Sequence, residues 1–292
     1  MEIAHYEVAG HSLRGSRRTN QDRIGIVERD RSVLLVVADG LGGHAGGALA
    51  AEIAVETVSA AFRRLRRGRL ERPGAFLGMT LTEAHHAIRR AGSRQQPAIE
   101  PRTTCVACLV QDGYAYWAHV GDSRLYHFRG PTLRVRTQDH TRVEHLREAG
   151  VLSTSDVLHH PDKSRLLRCL GTNRAPDISL GPETALARDD LVLLCSDGLW
   201  EAVPPTEFPA ELKSGEFDGA LEQLLVSAVA RRPGRGDNVS AVCLRWLATG
   251  PLAAPLRPAA PPVVQAPSEP LSSAGLDDEI ARLESLLRDR RR

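Results

Sequence analysis

The sequence predicts a mixed α/β fold built on antiparallel sheet, and three observations predict it. Apolar runs of strand length at residues 33–38 and 191–196 break off at Asp-Gly pairs. Four further strand-like runs, 103–110, 114–120, 124–128 and 133–136, are punctuated by Gln111-Asp112-Gly113 and Arg129-Gly130-Pro131, the turn chemistry of consecutive hairpins. Stretches at 48–67, 74–91 and 216–231 read as helices instead. Hairpins join antiparallel neighbours, which sets this sheet apart from the parallel kind that holds nucleotides.

Taken in order, residues 3–9 and 24–29 are short and β-compatible, and 33–38 is a core strand. The helix at 48–67 follows, with Ile53, Val55, Val58, Ala61, Phe62 and Leu65 on one stripe. Its basic end, Arg63 to Arg69, opposes the helix macrodipole and needs no nucleic acid to explain it. In the second helix His85 and His86 are adjacent, so they sit on different parts of its surface and make a poor metal claw. After the hairpins a helix is expected at 139–149, with Asp139 as N-cap and Gly150 just past its end. Residues 150–190 are polar and broken by Pro161, Pro176 and Pro182. The strand at 191–196, the amphipathic helix at 216–231 and a closing strand at 239–246 complete the pattern. Seven prolines between 250 and 270 mark a Pro/Ala-rich linker. Leu276, Ile280, Leu283, Leu286 and Leu287 then form one apolar stripe on a short C-terminal helix or tail.

Composition narrows the functional classes. A chain of 292 residues suits one large domain or two small ones. Its 38 basic and 36 acidic residues leave a formal charge of +2, which points to no polyelectrolyte partner and no nucleic acid. Five cysteines, an odd number without regular spacing, fit a reducing compartment. Cys105 and Cys108 have redox-motif spacing, but on a strand positions i and i+3 face opposite sides, so they are read as structural. The N-terminus lacks a basic-then-apolar signal, and no apolar run approaches the ~20 residues that span a membrane. The expectation is a soluble, cytoplasmic protein.

The chemistry gathers at strand ends. Asp39 closes the first core run and is followed by five glycines in eight residues. Such chain lets the backbone approach a ligand closely. Asp39 with the peptide carbonyl of Gly40 offers two hard oxygens at one point, which suit Mg²⁺ or Mn²⁺ rather than zinc or copper. One Asp-Gly at a strand end is ordinarily a plain turn. Here the signature recurs at Asp197-Gly198, at Asp237 before a strand, and at Asp122 between two strands. Four aspartates at strand junctions, without a His or Cys cluster of ligand spacing, describe a carboxylate-rich dinuclear site. Two divalent ions held that way can bridge a water, lower its pKa and aim it at phosphorus.

Asp39-Gly40, Gly121-Asp122-Ser123-Arg124, Ser196-Asp197-Gly198-Leu199 and Asp237-Asn238, preceded by Arg17-Arg18-Thr19-Asn20-Gln21-Asp22, come in an order and separation that resembles the metal-dependent protein phosphatases, the PPM or type 2C family, in its bacterial form. The likeness runs from about residue 10 to 246. It implies an α-β-β-α sandwich of two antiparallel sheets flanked by helices, with metals at one edge of the stack. It implies a phosphatase domain over 1–249 with a flap at about 141–190, then the linker at 250–272 and the helix or tail at 273–292. His159-His160-Pro161 and Leu170-Gly171 resemble landmarks of that flap. The implied activity is hydrolysis of phosphoserine and phosphothreonine by direct attack of a water that bridges two Mn²⁺ or Mg²⁺ ions. In that scheme Asp39 bridges the ions, Asp197 and Asp237 complete the first site, and the Gly40 carbonyl serves the second. Asp122 with Asp197 forms a third, weaker site. Asp22 orients a metal-bound water, Asn238 fixes its loop, and Arg17 holds substrate phosphate with a two-pronged guanidinium that a lysine cannot match. The implied partners are phosphorylated proteins, a cognate serine/threonine kinase among them; the C-terminal stripe itself, marginal as a lone helix, reads either as docked on its own domain, a twin or a partner or as frayed and disordered.

The sequence also departs from the family pattern. Leu41 stands where some members have a His that protonates the leaving alkoxide, and His44 is not its equivalent. Gln21 replaces a frequent Glu, which implies weaker or more water-mediated binding of the second ion. Arg102-Thr103-Thr104 replaces Gly-Thr-Thr, a loop change expected to leave the ligands unaffected. Two other classes fit parts of the pattern. A catalytically weak PPM-fold scaffold or regulatory module would usually have lost an aspartate, and all are present. A carboxylate-metal nuclease or small-phosphoester hydrolase could use similar chemistry, although the near-neutral charge weakens the nuclease.

Overall fold

The chain opens with β1 (Tyr6–Leu13), β2 (Arg23–Arg29), β3 (Ser32–Ala38) and the two-residue β4 (Gly40–Leu41), then runs through helices α1 (Ala45–Arg63) and α2 (Pro73–Ser93). Next come β5 (Arg102–Thr103), β6 (Cys105–Gln111), β7 (Tyr114–Val120), β8 (Arg124–Arg129), β9 (Thr132–Arg136) and helix α3 (Arg142–Glu148). Short strands β10 (Ser179–Leu180) and β11 (Thr184–Ala185) precede β12 (Leu191–Cys195). Helices α4 (Asp197–Trp200), α5 (Phe208–Glu211) and α6 (Phe217–Arg231) lead to the last strand, β13 (Val239–Trp246). This computed structural model describes residues 5–252 apart from 30, 43–44, 66–68, 154–155, 157–159, 161, 163–164, 214 and 235. His44, His159, Pro161 and the expected C-terminal helix therefore lie outside the described residues.

Five strands form one sheet in the order β1-β13-β12-β8-β9, and the other runs β10-β7-β6-β3-β2 with β11 also beside β7. All these pairings are antiparallel. The sheets stack because their central strands have no polar face to show to water. β3 is buried along its whole length. Its Val33, Leu35 and Val37 meet Val192, Leu194, Val242 and Leu244 of the other sheet, while Leu34 and Val36 point the opposite way, the side on which α1 packs. β12 is treated in the same manner. Val192 and Leu194 enter the inter-sheet core, and Leu191, Leu193 and Cys195 lie under Phe217, Leu221, Leu224 and Leu225 of α6. A strand covered on both faces needs a continuous apolar run, which is what residues 33–38 and 191–195 provide. Truncating one of these side chains, as in Leu194→Ala, is expected to cost about 2–5 kcal/mol.

Two expectations are corrected by this packing. The four runs between 103 and 136 do not make a single meander. β6–β7 and β8–β9 are hairpins, but β7 and β8 belong to different sheets, and Gly121-Asp122-Ser123 carries the chain across. The crossing uses Gly121 at φ +105°, where a Cβ would sit 2.6 Å from the Thr104 side chain. The second correction concerns Asp139. The helix is Arg142–Glu148 and its cap is Thr141, whose hydroxyl accepts from the Glu144 N–H at 3.3 Å. Asp139 instead accepts two bonds from buried Arg124, at 2.8 and 2.6 Å. Breaking such a buried pair costs about 3–5 kcal/mol, against about 1 kcal/mol for a cap, so the ion pair takes the carboxylate.

All five cysteines are free, and burial pushes the thiols of Cys105 and Cys108 up to about 12, which leaves them unreactive. Among the described residues no helix is long and apolar enough to cross a membrane.

Candidate active site

Where the two sheets end side by side, the strand junctions open onto one cavity of about 430 Å³. Asp39 follows β3, Asp122 lies between β7 and β8, Asp197 begins α4 after β12, and Asp237 precedes β13. All four line this cavity, with Gly40, Arg17, Leu41 and Asn238 in its walls. Gly40 is required by space: a Cβ there would lie 2.3 Å from the Gly47 carbonyl oxygen. Asp22 is buried, and its Oδ2 accepts from the Ser196 hydroxyl at 2.7 Å. Arg17, expected to face substrate, donates to Asp237 Oδ2 at 2.6 Å. Both partners are over a third exposed, so that pair is weak and exchangeable.

The cavity holds acid in excess of counter-charge, with Arg17 bonded to Asp237 and Arg18 also in its wall. Burial raises the Asp39 carboxyl well above its ordinary pKa, and repulsion from Asp22, Asp197, Asp122 and Asp237 adds to it. Asp197 is raised in the same way, by burial and then by Asp122 and Asp237. Burial lifts Asp22 to about 6 against the opposing hydroxyls of Ser240 and Ser196. Asp122 reaches about 7 through burial and Asp139, with Arg124 opposing. Asp22 Oδ1 and Asp197 Oδ1 are buried without a hydrogen-bond partner. An unpartnered buried acceptor costs about 1–3 kcal/mol, so these oxygens are set for something the polypeptide does not supply.

A hard divalent cation fits that need, because the donors are carboxylate and carbonyl oxygens rather than thiolate or imidazole. As the side chains stand, no three His, Cys, Asp or Glu groups among the described residues are drawn into a closed ligand shell. Like-charge repulsion keeps carboxylates apart, and Asp237 is turned to Arg17.

The supporting residues were partly legible. Asn238 fixes the loop as expected: its side chain accepts from Gln21 N–H at 2.9 Å and donates to the Arg14 and Thr19 carbonyls at 2.7 and 3.0 Å. Thr103 and Thr104, which keep to the family pattern beside the changed Arg102, hold the Asp39 backbone. The Thr103 hydroxyl donates to the Asp39 carbonyl at 2.7 Å, Thr104 N–H donates to the same oxygen at 2.9 Å, and the Thr104 hydroxyl accepts from Asp39 N–H at 3.1 Å. Two neighbouring threonines carry no such signal in sequence, since only the β4–β5 pairing brings them to Asp39. Ser196 was equally silent: it links Asp22 to the Ser240 N–H.

Comparison with known proteins bears directly on this cavity. A family profile described as protein phosphatase 2C matches residues 9–229. The serine/threonine phosphatase stp of Listeria monocytogenes is 34% identical over 229 residues, 77% of this chain and 89% of that protein. The structure of the Streptococcus agalactiae serine/threonine phosphatase superposes with a TM-score of 0.76 at 25% identity, covering 82% of this chain and 99% of that one. The catalytic domain of the serine/threonine protein phosphatase PstP, in complex with two manganese ions, superposes with a TM-score of 0.68 at 28% identity, covering 83% of this chain and 98% of that one.

Proposed function

This chain belongs to the protein phosphatase 2C family, and we propose that it removes phosphate from phosphoserine and phosphothreonine in proteins with Mn²⁺ or Mg²⁺ held in the aspartate cavity. The observation that carries the reading is the convergence on one opening of four strand-junction aspartates: Asp39 from one sheet, Asp197 and Asp237 from the other, and Asp122 on the crossing between them. The two manganese ions of the PstP catalytic domain support the choice of cation.

We assign Asp39, Asp197, Asp237 and the Gly40 carbonyl to two cations, and Asp122 with Asp197 to a third. When bound, the cations lower the pKa of water and neutralise charge on the phosphoryl oxygens. The remaining roles belong to the chain. Arg17 leaves its exposed pair with Asp237 and turns its fork to two phosphate oxygens. Asp22, held by Ser196 and by its backbone bond to Asn20, keeps one oxygen free to orient a water. Leu41 places an apolar wall where a proton-donating His stands in some relatives, so the leaving alkoxide takes its proton from water in the cavity.

The same reading has the catalytic domain at 1–249 with its flap at about 141–190, followed by a linker at 250–272 and an amphipathic helix or tail at 273–292. Phosphorylated proteins, a cognate serine/threonine kinase among them, are its proposed substrates. Its free thiols and the absence of a membrane-crossing helix among the described residues support a cytoplasmic location. Phosphate release from a phosphothreonine peptide, with and without Mn²⁺, tests the reading in wild type, Asp39→Asn and Asp197→Asn. Activity that survives in both variants would remove the cation-based chemistry.

A further inference from the structure

Nothing in the covalent chain fixes the distance between Asp122 and Asp197. One lies on the crossing between β7 and β8, and the other begins a four-residue helix after β12. A helix of one turn has no stability of its own. The β8–β12 ladder pairs Arg124 with Cys195 and brings the two junctions side by side, buried Leu199 anchors α4 in the core, and a bridge of side chains ties the far end of α4 to the crossing.

Arg124, two residues after Asp122, is buried and immobilised. Asp139 receives its Nε and terminal N–H at 2.8 and 2.6 Å, and the Tyr126 hydroxyl accepts another bond at 2.9 Å. Its guanidinium lies 3.5 Å from the ring centroid of Trp200, the last residue of α4. The Trp200 indole N–H in turn donates to the Asp122 backbone carbonyl at 3.1 Å. A partly buried indole ordinarily finds some acceptor. Here the acceptor is the main chain of a cavity aspartate, and the indole that reaches it rides on the helix that begins with another.

We propose that Trp200, steadied by Arg124, is a positioning residue that sets the spacing of Asp122 and Asp197 and thereby the affinity of the cation they share. The guanidinium fixes the plane of the indole, the indole fixes the Asp122 main chain, and the helix transmits that register to Asp197. The inference rests on the assignment of Asp122 and Asp197 as cation ligands.

The test is a Mn²⁺ titration of the metal-free full chain, with free Mn²⁺ followed by electron paramagnetic resonance. Wild type, Asp122→Asn, Trp200→Phe and the double variant are compared. Trp200→Phe keeps an aromatic face for Arg124 but loses the N–H donor. It is expected to weaken the weakest binding phase about fivefold, equivalent to about 1 kcal/mol, and to weaken the tight phase, which Asp197 also serves, by clearly less. Asp122→Asn should abolish that phase, and adding Trp200→Phe to it should change nothing further. Arg124→Lys, which loses the flat fork, should weaken the same phase. If Asp122→Asn abolishes the phase but the Trp200→Phe titration overlays wild type, the positioning role fails and the ligand assignment stands. If Trp200→Phe weakens all phases alike and lowers the Tm, Trp200 is only structural and the inference is overturned. If Asp122→Asn itself leaves binding unchanged, the ligand assignment falls and the bridge has no cation to govern.

Discussion

Strand β12 has an aspartate at each end, and the two are treated in opposite ways. Asp190, just before it, is fully buried. Burial alone would raise its pKa, but Arg129 bonds both its oxygens, His127 and the Ala187 N–H donate at 2.9 Å each, and the carboxyl is held at about 2. Asp197, just after the strand, meets other carboxylates and keeps an oxygen without a partner. The strand, the apolar packing and the residue type are shared, so burial does not separate a structural acid from a site. Compensation does. An acid whose charge is answered in the core belongs to the fold, and one left unanswered, or paired only with an exposed arginine as Asp237 is, stays open to something from outside.

The largest test of this contrast is catalytic. Asp39→Asn or Asp197→Asn is expected to lower Mn²⁺-dependent phosphate release about 10³-fold, whereas Asp190→Asn keeps the Mn²⁺ response per folded molecule. A steady-state assay on a phosphothreonine peptide, corrected for folded fraction, decides between them. The next effect is on stability. Mn²⁺ at about 100 times its dissociation constant should add about 2.7 kcal/mol to wild type and to Asp190→Asn alike, and much less to Asp39→Asn. Urea unfolding with and without the cation reads this directly, and an equal gain in all three proteins would place the ion elsewhere.

At the other end of β12 the signs reverse. Asp190→Asn should cost about 2–3 kcal/mol in urea unfolding, below the range for a fully buried pair because Arg129 is half-exposed. The two arginines sharpen the point further. Arg17→Lys should raise KM about tenfold with little loss of stability, because its partner is exchanged for substrate. Arg129→Lys should lower the urea midpoint and leave KM alone.

The smallest effect is on acid sensitivity. A carboxylate whose folded pKa is depressed contributes stability above its unfolded value of 3.8 and loses it as pH falls toward about 2. Wild type should therefore weaken across that window more steeply than Asp190→Asn. Parallel urea midpoints from pH 4 to pH 2 in both proteins would show that Asp190 is not compensated as described.

Much of this was legible from residues alone, and the reason is local. Continuous apolar runs at 33–38 and 191–195 announce strands covered on both faces, and an aspartate that ends each run marks the cavity side of the stack. Asp122 and Asp237 could be placed at strand junctions, and the recurring signature already put them in one site with Asp39, but the path by which they meet could not be read. That meeting depends on the chain leaving one sheet for the other at Gly121, a step that hairpin patterning does not forecast. Asp190 escaped notice for the same reason: its partners Arg129 and His127 come from β8, which only sheet pairing brings alongside.

What the amino-acid order determined by itself, then, is the set of elements and the acids at their ends, because periodicity, turn chemistry and burial on both faces act over a few neighbouring residues. Tertiary structure alone decided which acids are answered and which are not: Asp139 goes to Arg124 rather than to a helix cap, Asp237 rests on Arg17, and Thr103 and Thr104 grip Asp39. Charge compensation is settled by distances between groups far apart in the chain, and those distances exist only once both sheets have closed on their common core.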